Sequence, residues 1–91
     1  MIVTLTAEAI EDLASIRAFL GEHSLAVADD IGRRLVAACD SLAALPNRGR
    51  HGLVTGTREI TTVMPYVIVY RALTAEVQVL RVWHSAQARN A

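Results

Sequence analysis

The chain has 91 residues, which fits one folded domain over residues 1–91. A hydrophobic fraction of 53% with 20% charged residues excludes a disordered chain, and every apolar run is too short to cross a bilayer. The net charge of zero hides an asymmetry, because residues 1–45 hold three arginines and seven acidic residues whereas residues 46–91 hold six arginines and two. The basic second half predicts an anionic partner.

The first residues and the cysteine content predict the compartment. Residues 1–5 lack the basic start of a signal peptide, and polar residues follow within a few positions. Cys39 is the only cysteine, so the chain forms no internal disulfide, and it is predicted to be a small buried hydrophobe. These features predict a cytoplasmic protein that does not associate with membranes.

The first 45 residues predict a short strand followed by two helices. Residues 2–5 form a β-branched run typical of a strand, and Thr6 and Ser24 are suitable N-caps for the two helices. Pro46 is expected to end the second helix, because proline lacks an amide proton. Only a few residues join the helices, so they are expected to lie antiparallel as a hairpin. The predicted apolar stripes are Ile10, Leu13, Ile16 and Leu20 in the first helix, and Ala28, Ile31, Leu35, Ala38, Leu42 and Leu45 in the second.

The second half of the chain changes from a helical to an extended pattern. Residues 47–56 contain three glycines and no periodicity, which predicts a loop. Three runs rich in Val, Ile, Thr and Tyr then predict strands, with turns at Pro65 and at Thr74-Ala75. The middle run is apolar on both faces, which is typical of a central strand. The predicted strands cover residues 57–63, 66–73 and 77–83.

These elements predict an α+β fold in which an N-terminal short strand and an antiparallel helix hairpin pack on a C-terminal three-stranded antiparallel sheet. The hairpin covers one face of the sheet, so the other face requires a partner, a folded-over tail, or both. Strict alternation groups two sets of residues on common faces: Val67, Val69 and Arg71, and Val79, Arg81 and Trp83.

Four sequence strings, taken in this order, resemble the ParE/RelE family of bacterial type II toxins. They are LAALPNRGR at residues 42–50, GTREI at 56–60, PYVIVYR at 65–71 and VLRVWHSAQ at 79–87. The resemblance implies a toxin that is neutralised by a cognate antitoxin, and two alternative targets. ParE-like members inhibit DNA gyrase, whereas RelE-like members are endoribonucleases that cut messenger RNA on the ribosome.

Two departures from the RelE-like pattern favour the ParE-like branch. RelE-like relatives usually carry a basic residue directly after the tyrosine that corresponds to Tyr66, and here that position is Val67. A valine can neither neutralise a phosphate nor transfer a proton. Several of those relatives also use a C-terminal tyrosine, and no tyrosine follows Tyr70. The resemblance to the ParE-like branch therefore implies a toxin that acts on DNA gyrase and has no catalytic activity of its own.

Five residues of the strand region are candidates for binding an antitoxin or a target. Arg71 and Arg81 are predicted to meet carboxylates of an acidic antitoxin segment, although pairing with Glu59 or Glu76 within the sheet is an alternative. If the chain is instead an endoribonuclease, the catalytic candidates are His84, Arg81 and Arg58. His84 would transfer a proton, and Arg58, Arg71 and Arg81 would face one groove, where they would stabilise the phosphate. The complete candidate set is Arg58, Arg71, Arg81, Trp83 and His84.

The remaining sequence signals exclude several kinds of site. His23, His51 and His84 are too widely spaced for a metal motif, and no cysteine pair accompanies them. His51 is predicted to be a solvated loop residue rather than a second proton carrier. No glycine-rich phosphate loop of the nucleotide-binding kind occurs, so no cofactor is expected. A third alternative is a degenerate toxin that serves only as a binding module.

Overall fold

The computed structural model describes residues 1–88, so the last three residues of the predicted domain lie outside the described residues. No helix within residues 1–88 is long and apolar enough to span a membrane. The described strands are β1 (Ile2–Leu5), β2 (Arg50–His51), β3 (Arg58–Ile60), β4 (Tyr66–Ala72) and β5 (Glu76–His84). The helices are α1 (Ala7–Gly21), α2 (Leu25–Asp40) and α3 (Ser85–Ala88), and a 3-10 turn over Ser41–Ala43 follows α2.

The strands form one sheet in the order β1-β5-β4-β3-β2. Strand β4 is central and antiparallel to both β3 and β5, and β2 is antiparallel to β3. Strand β1 lies parallel to β5, with Ile2 opposite Glu76. The α+β fold is confirmed, but the sheet is five-stranded and mixed rather than three-stranded and antiparallel. Strand β1 was predicted, but its pairing with β5 was not, and the long connection between the two permits that parallel pairing. Strand β2 has only two residues, which is too short to show a clear period in sequence.

The strand boundaries differ from the prediction mainly at the edge of the sheet. The strand predicted over residues 57–63 shortens to Arg58–Ile60, and the predicted loop over residues 47–56 contains β2. The predicted turn at Thr74-Ala75 is confirmed, because the Leu73 amide donates to the Glu76 carbonyl at 2.8 Å.

Both helix caps are where the sequence predicts them. The hydroxyl of Thr6 accepts a hydrogen bond from the Ala9 amide at 3.1 Å, and that of Ser24 accepts from the Val27 amide at 3.2 Å. The predicted stripe of α2 is wrong at its end, because α2 stops at Asp40 and Leu45 is exposed.

The first helix also differs from its predicted stripe. Ile10 is exposed, and the preceding Ala9 is completely buried instead. The small side chain of Ala9 allows α1 to lie close to β5, and this rotates Ile10 toward solvent.

The core lies between the helix hairpin and one face of the sheet. Tyr70 is fully buried there, and its hydroxyl accepts a hydrogen bond from the Gly49 amide at 2.9 Å, which ties the loop before β2 to the central strand. The core cluster consists of Ala9, Leu35, Ala38, Cys39, Leu42, Ile60, Val63, Tyr66, Ile68, Tyr70, Val77, Val79 and Val82.

Cys39 lies in this core, and burial raises the pKa of its thiol from 9.0 to about 11. We expect iodoacetamide at pH 8 to alkylate Cys39 at least about 100-fold more slowly in the native protein than in urea, because thiolate is scarce and inaccessible. The raised pKa also means that the thiol's contribution to stability is complete below pH 9 and is lost as the pH rises from 9 to about 11. Mass spectrometry of timed samples measures the rates, and equal rates in both states would contradict the buried placement.

Candidate functional site

The two faces of the sheet differ in what covers them. Helices α1 and α2 pack on the face that carries Ile68 and Tyr70 of the central strand. Val67, Val69 and Arg71 alternate with these residues and lie on the opposite face, which we call the open face. Val67 is nevertheless only 3% exposed, and Trp83 lies directly opposite it on β5. The open face is therefore apolar and covered at Val67, whereas Val69 is half-buried and Arg71 is exposed.

A β-bulge in β5 interrupts the alternation that the sequence predicts. The register with β4 shifts between Val79 and Arg81, which leaves Leu80 as an extra residue. Val79 is buried in the core, whereas Arg81 and Trp83 lie on the open face. The prediction that these three residues share a face is wrong, because one additional residue reverses every side chain after it.

Arg81 is held by an acidic residue from α1. Its Nε and Nη2 atoms donate to the Asp12 carboxylate at 2.8 and 3.0 Å, and the guanidinium lies 4.9 Å from the ring centroid of Trp83. The Val82 amide also donates to Asp12, at 2.9 Å. The hydrogen bond to Asp12 raises the pKa of Arg81. Arg81 is thus engaged within the chain, and its partner is neither Glu59 nor Glu76.

Glu59 and Glu76, the alternative partners predicted for Arg71 and Arg81, interact with other residues. The Nε and Nη2 atoms of Arg50 contact Glu59 Oε1, each at 3.1 Å, and the side chain of Glu59 is only 11% exposed. Glu76 accepts a hydrogen bond from the Thr4 hydroxyl at 2.9 Å. Arg50 is an open-face residue that the sequence reasoning missed, because β2 was predicted to be loop.

Arg58 lies on the other face of the sheet from Arg71 and Arg81. It pairs with Tyr70, and its Nη1 atom donates to the backbone carbonyls of Gly49 at 2.8 Å and Asn47 at 3.4 Å. Arg58 therefore fastens the loop before β2. The expectation that these three arginines line one groove is wrong, because the register places Arg58 beside a core residue.

Arg71 is the arginine of the predicted site that remains directed to solvent. It lies on the open face opposite Gln78, near the end of β4, and its side chain is exposed. Within residues 1–88, the structure gives it no carboxylate partner. Arg71 can therefore meet a carboxylate of another protein without first breaking an ion pair.

The two histidines of the strand region lie apart. His84 pairs with Tyr66 at one end of β4, with ring centroids 5.9 Å apart, and its Nδ1 atom accepts from the Ala86 amide at 3.2 Å. His51 is exposed on β2 and pairs with Arg58 at the other end of the sheet. Four residues of β4 separate these positions, which is about 13 Å along the strand. This separation prevents the two imidazoles from acting on one bond.

A groove of about 570 Å³ runs between the two long helices. Leu13 and Ile16 of α1 and Leu35 and Val36 of α2 form much of its surface, and Gly32 adds no side chain. Charged side chains also line it, namely Arg17, Arg33 and Asp40. An open apolar groove of this kind fits an amphipathic helix. The sequence analysis did not predict this groove.

The described residues contain no cluster of metal-binding side chains. No group of three or more His, Cys, Asp or Glu side chains in residues 1–88 is arranged to hold a metal ion. The candidate site is a surface of arginines, Trp83 and apolar side chains.

Comparisons with known proteins agree with this architecture. Residues 3–89 match the sequence model of the ParE toxin of the type II toxin–antitoxin system parDE. Two relatives from Caulobacter vibrioides are named Toxin RelE2 and Toxin RelE1. The first is 42% identical over 93% of this chain and 96% of its own length, and the second is 38% identical over 96% of each.

A solved structure extends the comparison to three dimensions. A chain of the chromosomal ParDE TA system from P. aeruginosa superposes with a TM-score of 0.82 and 25% identity. The superposition covers 92% of this chain and 95% of that one. Sequence and fold therefore agree over nearly the full length, and the chain belongs to the ParE/RelE superfamily of type II toxins, within the ParE toxin family.

Proposed function

We propose that this chain inhibits growth by binding DNA gyrase, without a catalytic group of its own, and that a cognate antitoxin neutralises it. The observation that carries the proposal is Val67. It occupies the position that would hold a basic residue in an RNA-cleaving relative, and it is aliphatic and 3% exposed. Such a side chain cannot stabilise a phosphate or move a proton.

The arrangement of the other candidate residues also supports a binding role. Arg58 faces away from Arg71, and Arg81 is engaged by Asp12 and Trp83. The Nδ1 atom of His84 accepts a backbone hydrogen bond from the Ala86 amide. These groups do not converge on one point where a reacting phosphate could lie.

The antitoxin is proposed to dock with an amphipathic, acidic segment. Its apolar side chains would fill the groove between α1 and α2, where Leu13, Ile16 and Val36 are available. Its carboxylates would meet cations that lack a carboxylate partner among residues 1–88, with Arg33 beside the groove and Arg71 on the open face. Arg81 is a weaker candidate than the sequence suggested, because Asp12 already pairs with it.

An endoribonuclease is the second candidate function, and the RelE names of the two Caulobacter relatives favour it. This alternative would require His84 and nearby arginines to act on messenger RNA at the ribosome. A degenerate toxin that only binds its antitoxin is the third candidate, and it would leave growth unchanged when produced alone.

Induction of the chain alone in a bacterial host separates these functions. We expect growth to stop and double-strand DNA breaks to appear while transcripts stay intact, because gyrase inhibition leaves broken DNA and no RNA chemistry is available. Pulsed-field electrophoresis measures the breaks, and primer extension on abundant messages measures cleavage. Coexpression of the antitoxin encoded beside the toxin should restore growth.

The His84→Ala variant is the decisive comparison in the same experiment. It should arrest growth as fully as the wild-type chain, since His84 performs no chemistry in a gyrase inhibitor. Transcripts that are cut during translation, together with loss of arrest in His84→Ala, would establish the endoribonuclease instead. Normal growth on induction of a folded wild-type chain would favour the degenerate binding module.

A further inference from the structure

At one end of the sheet, two turns carry exposed aliphatic side chains. The hairpin between β2 and β3, residues 52–57, projects there with Leu53 75% exposed and Val54 65% exposed. The register places the turn between β4 and β5 at the same end, because Tyr70 pairs with Arg58 just before β4 ends. Leu73 of that turn is exposed as well. We call this surface the turn end.

The hairpin that carries Leu53 and Val54 is closely tied by its own hydrogen bonds. The backbone amide of Thr57 donates to the Val54 carbonyl at 3.1 Å, and its hydroxyl donates to the same carbonyl at 2.6 Å. The Gly52 amide donates to the Thr57 carbonyl at 2.9 Å, and Thr57 is buried. Leu53 and Val54 are therefore held outward by a preformed loop, so binding them would cost little conformational entropy.

Basic residues outnumber acidic ones around the hairpin. Residues 41–76 contain four arginines and two acidic residues, Glu59, which Arg50 contacts, and Glu76, which accepts a hydrogen bond from the Thr4 hydroxyl. His51 and Arg58 are paired at the base of the hairpin, and Arg71 follows Tyr70 at the same end of the sheet. A partner that receives the two aliphatic side chains would therefore need an apolar pocket with carboxylates around it.

We infer that the turn end is the surface by which the toxin docks on its cellular target, and that it inserts Leu53 and Val54 into an apolar pocket rimmed by acidic side chains. This inference rests on the proposed function, since it requires that a target exists. The aliphatic side chains of this docking surface are separate from the antitoxin groove, because none of the residues that line that groove belongs to the turn end. Arg71, at the border of the turn end, is shared with the surface proposed for the antitoxin. Duplex DNA fits the surface less well, since it accepts aliphatic side chains only where base steps are unstacked.

The test is the double variant Leu53→Ser/Val54→Ser, with Leu25→Ser/Val27→Ser as its matched control. Leu25 is also 75% exposed, and it begins α2 away from the turn end. We expect the Leu53/Val54 variant to lose about 10- to 100-fold in apparent affinity for the target, so that it no longer arrests growth at an induction level that stops cells with the wild-type chain. The control should arrest growth normally. Both variants should unfold within a few degrees of the wild-type protein and copurify with the antitoxin encoded beside the toxin.

Several outcomes would overturn the inference. Full growth arrest by a folded Leu53→Ser/Val54→Ser chain would do so, as would loss of its antitoxin binding. A wild-type dimer in sedimentation that the double variant abolishes would show that a second copy occupies the surface. Gel-shift binding of duplex DNA that depends on the same residues would assign it to nucleic acid.

Two further comparisons separate a folding failure of the variant, failure of the proposed function and failure of this inference. If the double variant fails to fold, the single variant Leu53→Lys serves in its place and should give the same loss of arrest. A wild-type chain that does not arrest growth would contradict both the proposed function and this inference. Arrest by the wild-type chain and by the variant alike would contradict only the inference.

Discussion

The Gly49→Ala substitution is expected to lower the free energy of unfolding by about 2–4 kcal/mol, because the added methyl group has no space. A Cβ at this position would lie 2.7 Å from the Glu59 carbonyl oxygen and 2.8 Å from the Tyr70 hydroxyl. Relief of this clash must move the loop or β3, which would break the bond from the Gly49 amide to Tyr70 and that from Arg58 to the Gly49 carbonyl. Urea unfolding followed by circular dichroism measures the loss.

Gly32→Ala is the matched control for Gly49→Ala. Gly32 lies within α2, and the nearest atom to its added Cβ is Arg17 Nη1 at 3.8 Å. Alanine favours a helix more than glycine does, so this variant should gain about 0.5–1 kcal/mol. Equal stability of the Gly49→Ala variant and the wild-type protein would mean that the close approach of the loop to the central strand is wrong.

The Tyr70→Phe variant separates the hydrogen bond from the close packing at Gly49. Phenylalanine leaves the Gly49 amide without its buried acceptor, and the expected cost is about 1–3 kcal/mol. Addition of Gly49→Ala to Tyr70→Phe should cost less than it does in the wild-type protein, because one of the two close oxygens is gone. The clash with the Glu59 carbonyl remains, so the cost should not vanish.

The Asp12→Ala substitution is expected to cost about 2–3 kcal/mol of unfolding free energy, because one carboxylate satisfies three donors. Its side chain is 15% exposed, and it accepts from two guanidinium nitrogens of Arg81 and from the Val82 amide. The Arg81 side chain is 41% exposed, so water can replace part of the hydrogen bonding that Arg81 loses with Asp12. Water reaches the Val82 amide less easily, because Val82 is buried.

The control for Asp12→Ala is Asp29→Ala. Asp29 pairs with Arg17 on the helix hairpin, where both side chains are about half exposed, and loss of such a pair should cost less than about 1 kcal/mol. Asp12→Asn should fall between the wild-type protein and Asp12→Ala, since the amide oxygen can still accept one hydrogen bond. Comparable losses from Asp12→Ala and Asp29→Ala would show that Asp12 does not anchor β5 to α1.

The helices and the central strand could be predicted from sequence because their signals are local. Thr6 and Ser24 cap the helices through bonds to amides three residues away, and a strand that is apolar on both faces must be covered on both. The ends of the elements were less predictable. Leu45 continues the spacing of the α2 stripe, yet the helix stops at Asp40, because periodicity alone does not mark the last hydrogen-bonded turn.

The candidate site was only partly predictable, because the register between two strands depends on both strands and cannot be determined from either one alone. The bulge at Leu80 turns Arg81 and Trp83 away from Val79, and the pairing of Arg58 with Tyr70 removes Arg58 from the open face. The partner of Arg81, Asp12, is 69 residues away along the chain. Nothing in the local pattern of either residue marks such a contact.

The sequence by itself determined the α+β class, the helix hairpin, the central strand and membership of the toxin family, since each depends on periodicity, caps or ordered strings of residues. The tertiary structure alone decided which arginines are engaged and which remain available. Arg50, Arg58 and Arg81 bind groups within the chain, whereas Arg71 is directed to solvent. The physical reason is that a guanidinium binds whichever carboxylate or carbonyl the fold brings near it, and that proximity arises only when distant strands and helices pack together.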